Sequence, residues 1–235
     1  MPIYSESFAA AFGLLASSDR DLIEILALSI NVSLASLVLS CVIGLPIGAF
    51  LAMRHFPMRD FLVGVFNAMM GLPPVVVGLL VYLHLSRSGP FGWLGLLYTP
   101  EAMVIAQMIL ITPIIIALSC QVLEDLHEDY KDFFDSLVVP KRTALLAYVI
   151  DARYSLMTVI LAGFGRAISE VGAVIIVGGN IDHVTRVMTT AIALEASRGD
   201  LALALGLGIV LLLLSLAINA ASYSVREFAR VRYQA

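Results

Sequence analysis

Five apolar runs dominate this chain, at residues 22–53, 61–85, 101–123, 154–178 and 201–224. A bilayer's hydrocarbon core needs roughly 20 apolar residues in helical form to be crossed, and each run is long enough. The expected fold class is therefore an all-α polytopic membrane protein with five transmembrane helices. Composition agrees: 60% of the 235 residues are hydrophobic, and the mean hydropathy is +0.96. Soluble domains sit nearer about 45–50% apolar. The net charge of −4 says little about partners. No basic patch with interleaved aromatics suggests nucleic acid. Residues 1–21 lack a basic n-region and are too weakly apolar to span, so they read as an outer-side segment rather than a secretory signal.

Positive charge sets the direction of crossing. Of the 14 lysines and arginines, nine fall on one side: Arg54, Arg59, Lys131, Lys141, Arg142, Arg153, Arg226, Arg230 and Arg232. Only Arg20, Arg87, Arg186 and Arg198 fall on the other, and Arg166 lies inside a span. This asymmetry predicts an outside N-terminus, five crossings within a single transmembrane domain over residues 22–226, and a cytoplasmic tail at 227–235. The first run exceeds the need and is expected to tilt or bend near Pro46. Cys41 and Cys120 fall within apolar runs and read as small core residues.

The connections differ in kind. Residues 86–100 are rich in Gly and Pro and predict a compact outer turn. Residues 184–196 predict a short helix at the outer surface. Residues 124–150 are long, cytoplasmic and dense in charge, with Pro140 dividing a helix from a second helix. That stretch also carries Phe133, Phe134, Leu137, Val138 and Val139 among Asp132, Asp135, Lys141 and Arg142. Apolar residues on such a loop suggest docking to another protein; packing on the membrane surface is the alternative.

The fourth run holds Arg166 and Glu170 far from either end, where ionisable groups are costly and face protein or a watery path. Four residues apart, they stack on one helix face. Arg166 lies ~20 Å along the helix from Arg153, by the 1.5 Å rise per residue. Three readings stand: an ion pair, a bond from Glu170 to a partner helix, or an arginine facing an anion pathway. A planar guanidinium fork suits an oxyanion, yet tight binding midway would slow release, which favours the pair. Small residues at Ala162, Gly165, Ser169, Gly172 and Ala173 permit close helix approach, within one subunit or between two. Gly178 and Gly179 read as a C-cap. Pro73 and Pro74 bend or start the second span. His84 reads as interfacial.

With these residues in view, the chain resembles the permease subunit of ATP-binding cassette importers. In that family a coupling helix precedes the fourth span and carries Glu-Ala-Ala, three residues, then Gly. Asp132, Phe133 and Phe134 stand at the first three positions here and Val138 at the glycine, which supplies a turn that valine resists. Gly71-Leu-Pro-Pro-Val-Val-Val-Gly78 with Ser86-Arg-Ser-Gly-Pro90 is similar to oxyanion permeases for molybdate, tungstate and sulfate. Gly163-Phe-Gly-Arg-Ala-Ile-Ser-Glu-Val-Gly-Ala173 is similar to the tungstate branch in particular. The resemblance implies a homodimer in the inner membrane, a pair of cytoplasmic ATPase subunits docked at 126–146, and an oxyanion-binding protein outside.

The chain's own residues set limits on the energy source. A P-loop needs Gly, four residues, then Gly-Lys and Ser or Thr; neither Lys131 nor Lys141 follows a glycine. ATP and magnesium are thus expected at the partner ATPase, with no cofactor on this chain. No His/Cys/Asp/Glu cluster has metal-site spacing, and no nucleophile elbow is present. The rival expectations are a molybdate or sulfate permease of the same class, an ion-gradient transporter, which would want inverted repeats not seen here, and a membrane scaffold.

Overall fold

A computed structural model describes Gly13 and residues 20–54 and 56–234; for 135, 141, 142 and 221–234 it describes the backbone alone. The expected N-terminal segment thus falls almost wholly outside the described residues. Among the described residues there are nine α-helices and no strands. They are α1 (Arg20–Met53), α2 (Arg59–Met69), α3 (Pro74–Leu85), α4 (Pro100–Ser136), α5 (Lys141–Asp151), α6 (Arg153–Ile168), α7 (Gly172–Gly178), α8 (Met188–Arg198) and α9 (Leu201–Gln234).

Three helices, α1, α4 and α9, are long and apolar enough to cross a membrane; counting each of two bent helix pairs as one span makes five. α4 is the central post. In its most apolar window 67% of residues are buried, against 33% in α1 and 22% in α9. Its 37 residues reach ~55 Å, well beyond the ~30 Å hydrocarbon core. The rest of that length carries the acidic segment after Leu123.

α1 lies against α4 along most of its length and runs unbroken through Pro46. Gly44 and Gly48 explain the close approach. A Cβ on Gly44 would stand 2.8 Å from Ile115 Cγ2, and one on Gly48 would collide with Ser119 Oγ. Small residues four apart let two backbones meet in this way. Apolar clusters fill the spaces around α4. One joins Val32, Val77, Met103 and Val174; another joins Leu37, Ile111, Ile115 and Phe164; a third joins Leu51, Ile116, Leu123 and Tyr148.

The bend expected at Pro73 and Pro74 is present: the second run is two helices, α2 and α3, bent by 98°, because Pro73 and Pro74 offer no backbone donors and Pro74 occupies the first turn of α3, where that loss is tolerated. Two other expectations need correction. The fourth run is likewise not one helix: α6 stops at Ile168 and α7 resumes at Gly172. The helix expected at a surface over 184–196 is α8, and its first turn is buried. Met188, Thr189, Thr190 and Ala191 are all enclosed, because Ser29 Oγ of α1 accepts the Met188 N–H at 2.8 Å and draws that end inward.

Candidate functional site

The interruption between α6 and α7 organises the polar interior. Ser169 Oγ donates to the Gly165 carbonyl at 2.8 Å, a local bond that competes with the helix ladder. Glu170 N–H bonds Ala167 O in a tightened turn at 3.3 Å. Released backbone groups in a span must find other partners, and two other helices supply them. Gln107 of α4 donates its Nε2 to Ala167 O at 3.1 Å and accepts from Ser36 Oγ of α1 at 2.8 Å. Thr189 of α8 donates to Glu170 O at 2.9 Å. The Glu170 carboxylate itself accepts the Ala173 N–H at 3.1 Å and so caps α7. Beside this network lies a cavity of about 10 Å³ edged by Ser29, Ser33, Gln107, Glu170 and Thr189, room for about one water molecule.

Glu170 is the buried member of an ion pair. Arg166 Nη1 stands 2.5 Å from Glu170 Oε2, with side-chain exposures of 30% and 3%. Both carboxylate oxygens are therefore engaged. Arg166 spends one nitrogen on the pair, and among the described residues its other nitrogens make no hydrogen bond. Its neighbours on the helix face, Ala162, Gly165 and Ser169, are uncovered or half-covered, and a Cβ on Gly165 would meet nothing within 4 Å. Gly172 and Ala173 behave differently. A Cβ on Gly172 would stand 2.9 Å from Val75 Cγ2, and Ala173 packs on Gly78. The small-residue stripe thus splits at the break. Gly172, Ala173 and Pro74 close a contact within this chain; Gly165, Arg166 and Ser169 look outward.

The second candidate region is the elbow where α4 turns into α5. α4 carries Asp132, Phe133 and Phe134 on its last turns. Val138 follows at φ 51°, the left-handed region that β-branched residues avoid. The Val139 N–H bonds Phe134 O at 3.1 Å, the six-to-one bond of a Schellman cap with Val138 at its left-handed position. Valine here adopts the turn expected of glycine. Pro140 then caps α5, accepting the Thr143 N–H at 2.9 Å. Phe133 and Leu137 are each 59% exposed and Val138 is 86% exposed, and Asp132 is exposed beside them. Phe134 instead turns inward onto Tyr148, ring centroids 5.3 Å apart. Val139 is half-buried. The side chains of Asp135, Lys141 and Arg142 lie outside the described residues.

Residues 44–230 match the family described as the binding-protein-dependent transport system inner membrane component. The chain belongs to that family. This permease is 42% identical over 88% of its length to a probable anion ABC transporter permease protein of Haloferax volcanii, covering 91% of that protein. It is 39% identical over 97% of its length to a tungstate uptake system permease protein of Peptoclostridium acidaminophilum, covering all of it. A molybdenum transport system permease protein of Azotobacter vinelandii is 28% identical over 87% of this chain and 95% of its own.

Several polar residues of the permease escape a reading by spacing alone. Gln107 is an amide inside an apolar run, a signal that was available. Arg59 counts in the sequence as one more loop charge, yet its guanidinium is buried. Nε donates to Leu51 O at 2.8 Å, Nη1 to Asp60 at 3.1 Å and Nη2 to Glu124 at 2.5 Å, joining the end of α1, the start of α2 and α4. At the opposite end of the bundle His183, at φ 56°, contacts Glu24 at 3.0 Å. Hydrogen bonding to Glu24, with Asp182 and Asp21 nearby, raises the pKa of His183 above its ordinary value.

Proposed function

We propose that this permease is the translocation subunit of an importer for a tetrahedral oxyanion, tungstate first. The observation that carries the reading is the match to a tungstate uptake permease over the full length of that protein; the molybdenum relative is more distant. Five crossings, with the N-terminus outside and the α4–α5 elbow in the cytoplasm, follow from the charge asymmetry. Two copies would enclose the route. The uncovered face of α6, with Ala162, Gly165, Arg166 and Ser169, suits its wall. There the open edge of Arg166 offers donors to a passing dianion while Glu170 keeps the net charge low and binding weak. An external binding protein delivers the anion and sets most of the specificity.

Energy comes from elsewhere. Two cytoplasmic ATPase subunits, which hold ATP and magnesium, dock over residues 126–146. Asp132, Phe133, Leu137, Val138, Lys141 and Arg142 form the grip. Closure of the ATPases moves the elbow, and the spans rock between outward and inward access. The test is reconstitution with the ATPase and the binding protein in vesicles. Tungstate should stimulate ATP hydrolysis more than molybdate, and molybdate more than sulfate. Uphill transport by this chain alone, without nucleotide, would defeat the proposal.

A further inference from the structure

Between the end of α4 and α5 lies an open pocket of about 410 Å³ lined by Tyr130, Phe134, Ala147, Tyr148, Ile150 and Asp151. Tyr148 is fully buried and forms the floor; Phe134 meets it edge-on, and Tyr130 stands 6.0 Å from Phe134 and 6.4 Å from Tyr148, centroid to centroid. At the rim Tyr130 donates its hydroxyl to Asp151 Oδ2 at 2.9 Å. Asp151 Oδ1 makes no hydrogen bond among the described residues and the carboxylate is exposed. Two partly open aromatic rings over a buried third, with a carboxylate at the lip, are the chemistry of cation recognition.

The surrounding charge selects the same sign. On the two helices that form the pocket, Glu124, Asp125, Glu128, Asp129 and Asp132 stand against Lys131, Lys141 and Arg142, a net negative balance even before Asp151 is counted. Arg153, two residues beyond Asp151, donates to Ile150 O at 2.7 Å and lies over the Tyr154 ring. An acidic occupant would be repelled. A purely apolar one would cover Asp151 without pairing it, which is costly. A basic side chain satisfies both parts: its aliphatic stem lies on the rings and its head meets the carboxylate.

We propose that this pocket receives an arginine or lysine side chain of the partner ATPase, making Asp151 and Tyr130 specific anchors of the motor beside the elbow. The inference rests on the reading that an ATPase docks at this end of the permease. It adds a recognition site distinct from the coupling-helix residues of the elbow.

The experiment measures ATPase binding to the full-length permease in nanodiscs. Asp151→Asn keeps an oxygen that accepts from Tyr130 and removes only the charge. Tyr130→Leu removes a ring from an exposed position. Each should weaken binding about tenfold, and the Asn variant should flatten the salt dependence. Tyr130→Phe should retain most of the affinity. Unchanged affinity in Asp151→Asn and Tyr130→Leu, with wild-type binding intact, would overturn the pocket and spare the docking reading. A change in oligomeric state instead of ATPase affinity would assign the pocket to a second copy and overturn it too. No binding of the ATPase to wild-type permease would sink the docking reading and this occupant together.

Discussion

The side-chain amide of Gln107 holds the carbonyl oxygen of Ala167 at 3.1 Å, at the point where α6 stops. The same amide oxygen takes the Ser36 hydroxyl, so one residue of the central helix answers to both α1 and the broken span. Gln107→Leu keeps the apolar volume and removes both bonds. Thermal melting in nanodiscs should report a loss of about 1–2 kcal/mol, the scale of a buried polar bond left unmade inside a membrane protein. An unchanged melting curve would mean that the break is satisfied by other groups.

Arg166 and Glu170 permit a separation of packing from transport. Arg166→Ala strands a buried carboxylate and should destabilise by about 3–5 kcal/mol. Adding Glu170→Gln retains an acceptor for the Ala173 N–H and should recover most of that loss. If Arg166 also serves the anion route, the double variant regains stability but not tungstate uptake. Recovery of both would assign the pair a purely structural role.

Val138 occupies left-handed backbone on an exposed turn. Val138→Gly removes the clash of a side chain there, worth about 1–2 kcal/mol per residue, although glycine's greater freedom in the unfolded chain offsets part of it. A modest rise in melting temperature is expected. A fall would show that the valine side chain contributes contacts that outweigh its backbone strain.

His183 and Glu24 give the opposite end a pH dependence. The raised pKa of His183 means that its pairing contributes fully below the ordinary imidazole value of about 6.5 and is lost as pH rises through the higher folded value. The wild type should therefore hold a small advantage in melting temperature over His183→Asn at pH 6, shrinking toward alkaline pH. Both groups are solvent-exposed, so salt should weaken the effect. An advantage that grows with pH would contradict the pairing.

Arg59 differs from the loop charges around it. Arg59→Lys preserves the charge but not the fork that reaches Leu51, Asp60 and Glu124 at once. It should lower stability nearly as much as Arg59→Ala, measured by melting of the purified protein. Full tolerance of lysine would reduce Arg59 to a topological charge.

What local spacing could express was legible. Apolar run length announced a membrane protein, and a four-residue interval put Arg166 within reach of Glu170. Pro140 marked where α5 begins, and a glycine closed α7, Gly179 at φ 71°. Each depends on backbone geometry over a few residues, which residue type alone constrains.

The amino-acid order by itself determined the solvent this chain occupies, because a long apolar helix has no other place to bury its surface. It determined the local punctuation as well. Only the tertiary structure decided that the fourth span stops at Ile168, that Phe134 turns in while Phe133 turns out, and that Arg59 is interior. Those outcomes depend on donors and volumes contributed by residues such as Gln107, Thr189, Glu124 and Tyr148, far away along the chain. No single segment's pattern contains its distant partners.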